Sequence, residues 1–231
     1  MPLSPQPANS IADVINTLTT IDAALPDTDG LKWFNHLYLR VTQSVDGAVG
    51  RGTFQDPQWI TRLDVVFANL YFEAVMAAES ADNLPPSWQP LFDARNQPGI
   101  HEIQFALAGM NAHINRDLPV ALVQMATANG NYPTRANAQF QDFQAVNGLL
   151  TTVEQQVKAQ LLAGLPPTPA LADVIAMWSV ERARDAAWNN GEILWHLQPV
   201  PLLATAFLDT LDHTIGLAGR GLLIRTLGLS A

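Results

Sequence analysis

Apolar residues recur every three or four positions along most of this chain, and no stretch alternates apolar and polar residues as a half-buried strand does. After Ser10, for example, Ile11, Val14 and Leu18 fall on one helical face, and Pro26 ends the segment. Ser10 is also a residue type that commonly caps a helix N-terminus. We therefore predict an all-α fold, a single-domain multi-helix bundle of about seven to nine helices.

Cap, turn and proline signals divide the rest of the chain. They predict helices at 31–45, 57–79, 134–163 and 170–195, and a loop at 47–52. Pro119 is expected to break or kink the helical segment that begins near Ile100, because proline has no backbone N–H to donate. A proline-rich run at 166–169 is the strongest linker signal. The helix beyond it would form a poor core alone, so we predict one domain over 1–231 with this linker inside it.

Low charge and an acidic balance narrow the classes of function. Charged residues make up 14% of the chain, against about a quarter in an average soluble domain. A buried apolar cavity, a homodimer interface or an ordinary large core would each explain this difference. The net charge of −9, with no run of Lys or Arg to offset it, disfavours nucleic-acid binding because phosphates are repelled. The absence of cysteine excludes disulfides and cysteine-ligated zinc.

Targeting signals and common cofactor motifs are also absent from the sequence. The N-terminus lacks the basic and apolar regions of a signal peptide, and no run approaches the ~18 apolar residues of a membrane span. We therefore expect a cytoplasmic protein without a membrane span. The glycine motifs that bind dinucleotides or phosphates, the HExxH zinc motif and the GxSxG nucleophile motif do not occur.

The most informative residues are polar side chains on otherwise apolar helical faces. His113 and Asp117 are four residues apart and share a helix face beside the core. Such a pair either binds a metal or forms a hydrogen-bonded acid/base pair; in the plainer alternative, Asp117 caps the next helix and His113 is a core histidine. Asp64 lies between Ile60 and Phe67 on the apolar stripe of its helix. A buried carboxylate there needs a metal, a histidine or an arginine as partner.

Two further side chains are secondary candidates for the same site. His36 would join Asp64 and His113, unless it is a partly buried histidine bonded to a backbone carbonyl. Glu181 is predicted to lie on the apolar stripe of its helix, either in a buried ion pair or as part of the site. The remaining residues predicted to line a substrate pocket are Trp33, Phe67, Tyr71, Phe105 and Asn111.

Several segments resemble one protein family. The run GMNAHINRDLP at 109–119 is similar to a core motif of bacterial helical proteins grouped as DUF5995, a family of unknown function. Segments at 34–42, 63–75 and 181–195 resemble the same family, so the resemblance spans most of the chain. It implies a helical fold and supplies no activity.

A shorter similarity points to metal chemistry. His113 and Asp117, followed by Pro119, resemble part of the HxxxD motif of the zinc-dependent phospholipase C and S1/P1 nuclease superfamily. Those all-α enzymes bind zinc ions with His and Asp residues from several helices. The resemblance implies Zn²⁺ held by His113, Asp117, Asp64 and His36. The later His-rich ligand motif and the N-terminal Trp ligand of those enzymes have no counterpart here, so a site for one or two metals fits better than one for three.

Three functional hypotheses remain open. In the first, which the zinc resemblance favours, a metal held by His113, Asp117 and Asp64 or His36 activates water to hydrolyse a phosphoester or acyl ester. In the second, a metal-free cyclase or isomerase of specialised metabolism moves a proton on an apolar small molecule through Asp64 or Asp117, with His113 orienting it. In the third, the chain is a non-catalytic helical binding protein whose low charge reflects an interface.

Overall fold

Helices make up the whole framework of the protein in a computed structural model that describes residues 3–80, 83–162 and 168–226. They are α1 (Ile11–Ala24), α2 (Gly30–Gly50), α3 (Pro57–Ser80), α4 (Gln89–Ala94), α5 (Glu102–Ala112), a π-helical turn (His113–Asp117), α6 (Leu118–Asn129), α7 (Ala138–Leu161), α8 (Pro169–Met177), α9 (Val180–Leu197) and α10 (Pro201–Leu222). Within the described ranges there is no strand, and the helices number nine when α5, the π turn and α6 count as one run. The predicted all-α fold is confirmed. None of these helices is both long and apolar enough to cross a membrane.

The core surrounds α2, which packs against α1, α3, α4, α5 and α7. Leu31, Phe34 and Tyr38 of this helix are all buried at the three- and four-residue spacing of one helical face. On the other side of the bundle, α6 lies along α9, and α10 packs against α5. The π turn contacts α3, α9 and α10, so its side chains lie where these layers meet.

A close approach of α2 and α5 depends on Gly109. A Cβ atom at this position would overlap the side chain of Phe34. Phe34 in turn meets the ring of His113 edge-on, with 5.7 Å between ring centroids. The missing side chain of Gly109 therefore lets the two helices pack closely beside the predicted site.

Gly109→Ala is expected to lower the free energy of unfolding by about 1–3 kcal/mol, because the added methyl group forces Phe34 or α5 to shift in a packed core. Urea unfolding measures this change. Gly148→Ala in α7 is the matched control, since the added Cβ meets no described atom within 4 Å beyond its chain neighbours and its own helix backbone. Alanine there should be neutral or stabilise by up to ~1 kcal/mol. Equal effects of the two substitutions would contradict the close approach.

Three predicted helix boundaries were wrong. The helix predicted from 134 begins later, since α7 starts at Ala138 with Asn137 at its N-cap position. The loop predicted at 47–52 is largely helical, since α2 continues to Gly50. Burial of Val45 and Ala48 outweighs the low helix propensity of its glycines, about 1 kcal/mol each. The single helix predicted at 170–195 is interrupted between α8 and α9, where the Ser179 side chain caps the new helix.

The predicted linker at 166–169 is only partly described. Residues 166 and 167 lie outside the described ranges. Thr168 caps α8, because its hydroxyl accepts a hydrogen bond from the Leu171 N–H at 3.3 Å. Pro169 is the first residue of α8, a position where a missing backbone N–H costs no helical hydrogen bond.

Candidate functional site

A π-helical turn lies where the sequence predicts a break or kink. His113–Asp117 form it, and the Leu118 N–H donates to the His113 carbonyl five residues earlier. Pro119 follows in the first turn of α6, so the wider turn accommodates its missing N–H without ending the helix. Single π turns are frequent at functional sites, and this one carries both His113 and Asp117.

Asp117 is fully buried and makes no helix cap. It stands at the N-cap position of α6, but its side chain accepts no capping hydrogen bond. Its Oδ2 accepts a hydrogen bond from Trp88 Nε1 at 3.0 Å and lies 2.9 Å from His113 Nδ1. Its Oδ1 accepts from Arg116 Nη1 at 2.9 Å. Asp117 therefore does not cap α6, and its carboxylate contacts His113, which is buried in the core.

The partners of Asp117 determine which nitrogen of His113 carries the proton. The carboxylate is paired with Arg116 and, being ionised, only accepts hydrogen bonds. His113 must therefore donate from Nδ1, which leaves the lone pair on Nε2. Among the described residues, the buried Nε2 has no hydrogen-bond partner. Burial lowers the pKa of His113 below its usual range against the opposing effect of Asp117, so the ring is neutral at pH 7.

Aromatic rings fix the orientation of the His113 ring. Phe67 stacks on it with 3.5 Å between centroids and an interplanar angle of 6°. Tyr38 meets it edge-on at 4.7 Å. Burial, together with the negative charges of Asp64 and Asp117, holds the pKa of Tyr38 well above its usual range, so its phenol stays protonated. The imidazole therefore lies in a rigid, largely apolar setting.

A cavity lies beside His113, lined by side chains of α2, α3, α5, the π turn, α6, α7 and α9. All of its lining side chains are apolar except Tyr38, Asp64, His113 and Arg184. The volume of this cavity that the centre of a water molecule can occupy is about 60 Å³. One water needs only ~10–15 Å³ by this measure, so the cavity has room for several waters or a small organic molecule.

Asp64 lines the same cavity as His113, whereas Asp117 does not line it and is connected to it only through its contact with His113. The Asp64 carboxyl is buried, and its Oδ2 has no hydrogen-bond partner in the described part of the chain. Burial, with a contribution from the negative charge of Asp46, raises the pKa of Asp64 to about 7. Near neutral pH the carboxyl is therefore divided between its acid and its ionised form.

Arg184 brings a positive charge to the wall of the cavity. The side chain is only 6% exposed. Its Nε donates to the Asn147 side-chain oxygen at 2.6 Å, and its Nη2 donates to the Phe143 carbonyl at 2.7 Å. The guanidinium also lies 4.0 Å from the centre of the Phe143 ring. Burial lowers the pKa of Arg184 to about 9 against the opposing charge of Asp185, so the group is cationic at pH 7.

This arrangement does not fit a zinc ion held by His113, Asp117 and Asp64. The oxygens of Asp117 already accept three hydrogen bonds, and His113 Nδ1 is directed at that carboxylate. Only Nε2 remains as a ligand on that helix. Across the described residues, no group of three or more His, Asp or Glu side chains is arranged to hold a metal ion.

His36 lies away from the cavity. Its Nδ1 is 3.6 Å from the Asp22 carboxylate of α1, and its ring is half-buried. Tyr38, two residues later, lines the cavity and so points about 200° away around α2. The prediction that His36 joins Asp64 and His113 is corrected accordingly.

Glu181 is exposed, and its predicted place on a buried stripe was wrong. The inward face of α9 includes Val180, Arg184 and Gly191. Glu181 lies about 100° around the helix from Val180 and therefore faces solvent. Trp188 lies nearly as far round the helix, and it is buried because its larger ring reaches inward.

The other predicted pocket residues divide between the cavity and the surrounding core. Phe67 lines the cavity. The Tyr71 hydroxyl donates to a buried asparagine of α2, and the Asn111 amide donates to a backbone carbonyl of α10. Phe105 packs against the first residue of α2, and Trp33 is half-buried at the edge of the core. These four side chains stabilise the helices around the site and do not line it.

Three residues of the site were missed by sequence reasoning. Trp88 lies in a proline-rich segment far from position 117, and the need of a buried indole N–H for a partner does not say which partner it finds. Arg116 is adjacent to Asp117 in sequence, and helical spacing does not predict contact between adjacent side chains. Arg184 lies four residues before Trp188, and its presence in a chain with only 12 Lys and Arg was the available signal.

The fold and site together define an all-α protein in which a buried His–Asp pair lies beside an apolar cavity lined by the histidine. Residues 11–225 match the model of a family of unknown function, DUF5995, and the chain belongs to this family. No curated protein and no solved structure matches the chain. The partial similarity to the zinc-dependent phospholipases and nucleases is not shown by these comparisons.

Proposed function

We propose that this protein is a metal-free acid–base enzyme of the isomerase or cyclase class, acting on a small, largely apolar molecule. One observation carries the proposal. His113, held by Asp117, lines an apolar cavity together with Asp64, and its buried Nε2 has no hydrogen-bond partner among the described residues. Perturbed titratable groups that converge on a cavity are typical of catalytic sites.

His113 is the base in this proposal. Its Nε2 removes a proton from a carbon of the bound molecule, and the resulting imidazolium is stabilised by the Asp117 carboxylate. Asp64 is the acid, which donates its proton to an oxygen of the same molecule, so that an enol forms. His113 then returns its proton to a different carbon while the enol oxygen returns its proton to Asp64, which gives an isomer and restores both side chains to their starting forms.

The order of the two pKa values supports this division of roles. The pKa of His113 is lowered below its usual range by burial, whereas that of Asp64 is raised to about 7. A neutral His113 and a protonated Asp64 are therefore both well populated slightly below neutral pH. With the roles reversed, the reaction would need a protonated His113 beside an ionised Asp64, a combination that is less populated than the neutral pair because the pKa of His113 lies below that of Asp64.

Hydrogen–deuterium exchange at carbon tests the proposal. The protein is incubated in heavy water with small branched ketones, unsaturated ketones and their carboxylate analogues, and NMR measures deuterium incorporation. We expect catalysed exchange with at least one compound. Its rate should fall on the acid side as His113 is protonated and on the alkaline side as Asp64 ionises above about pH 7. His113→Gln should abolish the exchange, whereas His213→Gln, at an exposed histidine of α10, should leave it unchanged.

The same assay separates the alternatives. Exchange or hydrolysis that a chelator abolishes would favour the zinc hypothesis and contradict a metal-free mechanism. Exchange that survives His113→Gln would remove the proposed base. The third hypothesis, a non-catalytic binding protein, gains support from the exposed apolar side chains Leu202, Leu203 and Leu217 of α10. It predicts no exchange with any compound.

A further inference from the structure

Arg184 differs from the other deeply placed arginines in its partners. Arg95 forms ion pairs with Asp29 and Glu79, and Arg116 forms them with Asp117 and Asp212. In the described part of the chain, Arg184 has no carboxylate within 4 Å, although it is more buried than either. The adjacent Asp185 is exposed. The charge of Arg184 is thus a positive charge at the cavity wall without an ion-pair partner among the described residues.

The contacts of Arg184 compensate its burial only in part. An amide oxygen, a carbonyl oxygen and an aromatic face stabilise a cation without supplying a negative charge. Its Nη1 donates no hydrogen bond to any described residue. A buried charge normally has an oppositely charged partner, and Arg184 lines the cavity that also contains Asp64 and His113. The missing countercharge is therefore one that a ligand of this cavity can supply.

We propose that Arg184 binds the carboxylate of a small organic anion whose apolar part fills the cavity. The substrates are then small aliphatic carboxylic acids, including branched ones. The guanidinium presents flat N–H groups that match a carboxylate, and such charge-assisted hydrogen bonds are among the strongest in proteins. The apolar side chains that line the cavity from α2, α3 and α7 exclude a ligand that is polar beyond its carboxylate. This inference rests on the proposed function for the reaction, since it names the substrate class of the same site.

Calorimetric titration with a matched pair of probes tests the inference without any turnover. Isovalerate and isovaleramide have the same shape and differ in charge. We expect the wild-type protein to bind isovalerate roughly 10- to 100-fold more tightly, the contribution of hydrogen bonds to a charged partner. Equal affinities, or no binding of isovalerate, would overturn the proposal.

Variants of α9 assign the preference to one side chain. Arg184→Gln should reduce the preference for isovalerate to less than about twofold, and Arg184→Lys should retain part of it, because lysine keeps the charge but lacks the planar fork. Arg182→Gln, at an exposed arginine of the same helix, is the matched control and should leave the preference unchanged. Retention of the full preference by a folded Arg184→Gln protein overturns the assignment. If that variant does not fold, the wild-type comparison and Arg184→Lys still decide.

The two proposals fail in different ways. Preferential binding of isovalerate without catalysed exchange of any carboxylate would refute the enzymatic proposal and leave the ligand class standing. Exchange of neutral ketones with no carboxylate preference would refute the ligand class and leave the acid–base chemistry standing.

Discussion

Asp117→Asn is expected to slow the proposed proton transfer by on the order of 10³- to 10⁴-fold, the effect of the equivalent change in Ser-His-Asp triads. Asparagine can donate to His113 Nδ1, where the aspartate can only accept. The imidazole then carries its proton on Nε2, the nitrogen that acts as the base in the proposed reaction. The variant therefore keeps the histidine but removes the base.

Nitrogen NMR of the histidine ring measures the tautomer directly, independently of any substrate. Wild-type protein should show Nδ1 protonated at neutral pH, and Asp117→Asn should show Nε2 protonated. The variant also loses an ion pair with Arg116, so its free energy of unfolding should fall by about 3 kcal/mol. An unchanged tautomer in a folded variant would contradict the role assigned to Asp117.

Asp142→Asn is the control for loss of stability. Asp142 is also buried, and its two oxygens accept hydrogen bonds from the Gln55 and Asp56 N–H groups at 2.8 and 2.6 Å. Asparagine leaves one of these donors without an acceptor and should destabilise the fold by about 1–3 kcal/mol. Asp142 does not line the cavity, so deuterium exchange by this variant should match the wild-type protein while it remains folded.

Local signals in the sequence predicted most of the helices. Ser10 caps α1 as predicted, with its hydroxyl accepting from the Asp13 N–H at 3.1 Å, and Pro57 is the first residue of α3. Such caps act within one turn and can be identified without knowledge of the tertiary fold. The glycines near the end of α2 were misjudged for the opposite reason, because their helical state depends on the burial of Ala48 against distant segments.

The candidate site was predictable only where its members share a helix. His113 and Asp117 are four residues apart, so their contact follows from helical geometry. The π turn that widens this segment was not predicted, although Pro119 indicated an irregularity. Trp88 and Arg184 reach the site from α4's N-terminal boundary and from α9, and no periodicity in the sequence states which helices meet. Only the tertiary packing identifies these residues, and with them the tautomer of His113 and the charge of Arg184 that has no ion-pair partner among the described residues.

Asp64→Asn is expected to stabilise the protein increasingly as the pH rises. The pKa of Asp64 is raised from 3.8 to about 7 by burial. Between these values the folded chain holds a proton that the unfolded chain has released, so the stability of the wild-type protein falls as pH rises through this window. Above about pH 7 the loss is complete and amounts to about 4 kcal/mol. Asparagine is nearly the same size and carries no charge, so the variant lacks this loss.

Urea unfolding at about pH 4.5 and about pH 8 measures the effect. The variant should match the wild-type protein at the lower pH, where Asp64 is protonated in the fold, and exceed it at the higher pH. Asp142→Asn should show no such gain, because it removes an acceptor from one of two buried backbone N–H groups. Deuterium exchange by Asp64→Asn should fall sharply, since the amide cannot donate a proton to the substrate. A side chain whose removal strengthens the fold and weakens the chemistry is one retained for function. A variant no more stable than wild type at about pH 8 would mean that Asp64 ionises without penalty, and the proposed acid would then be lost from the mechanism.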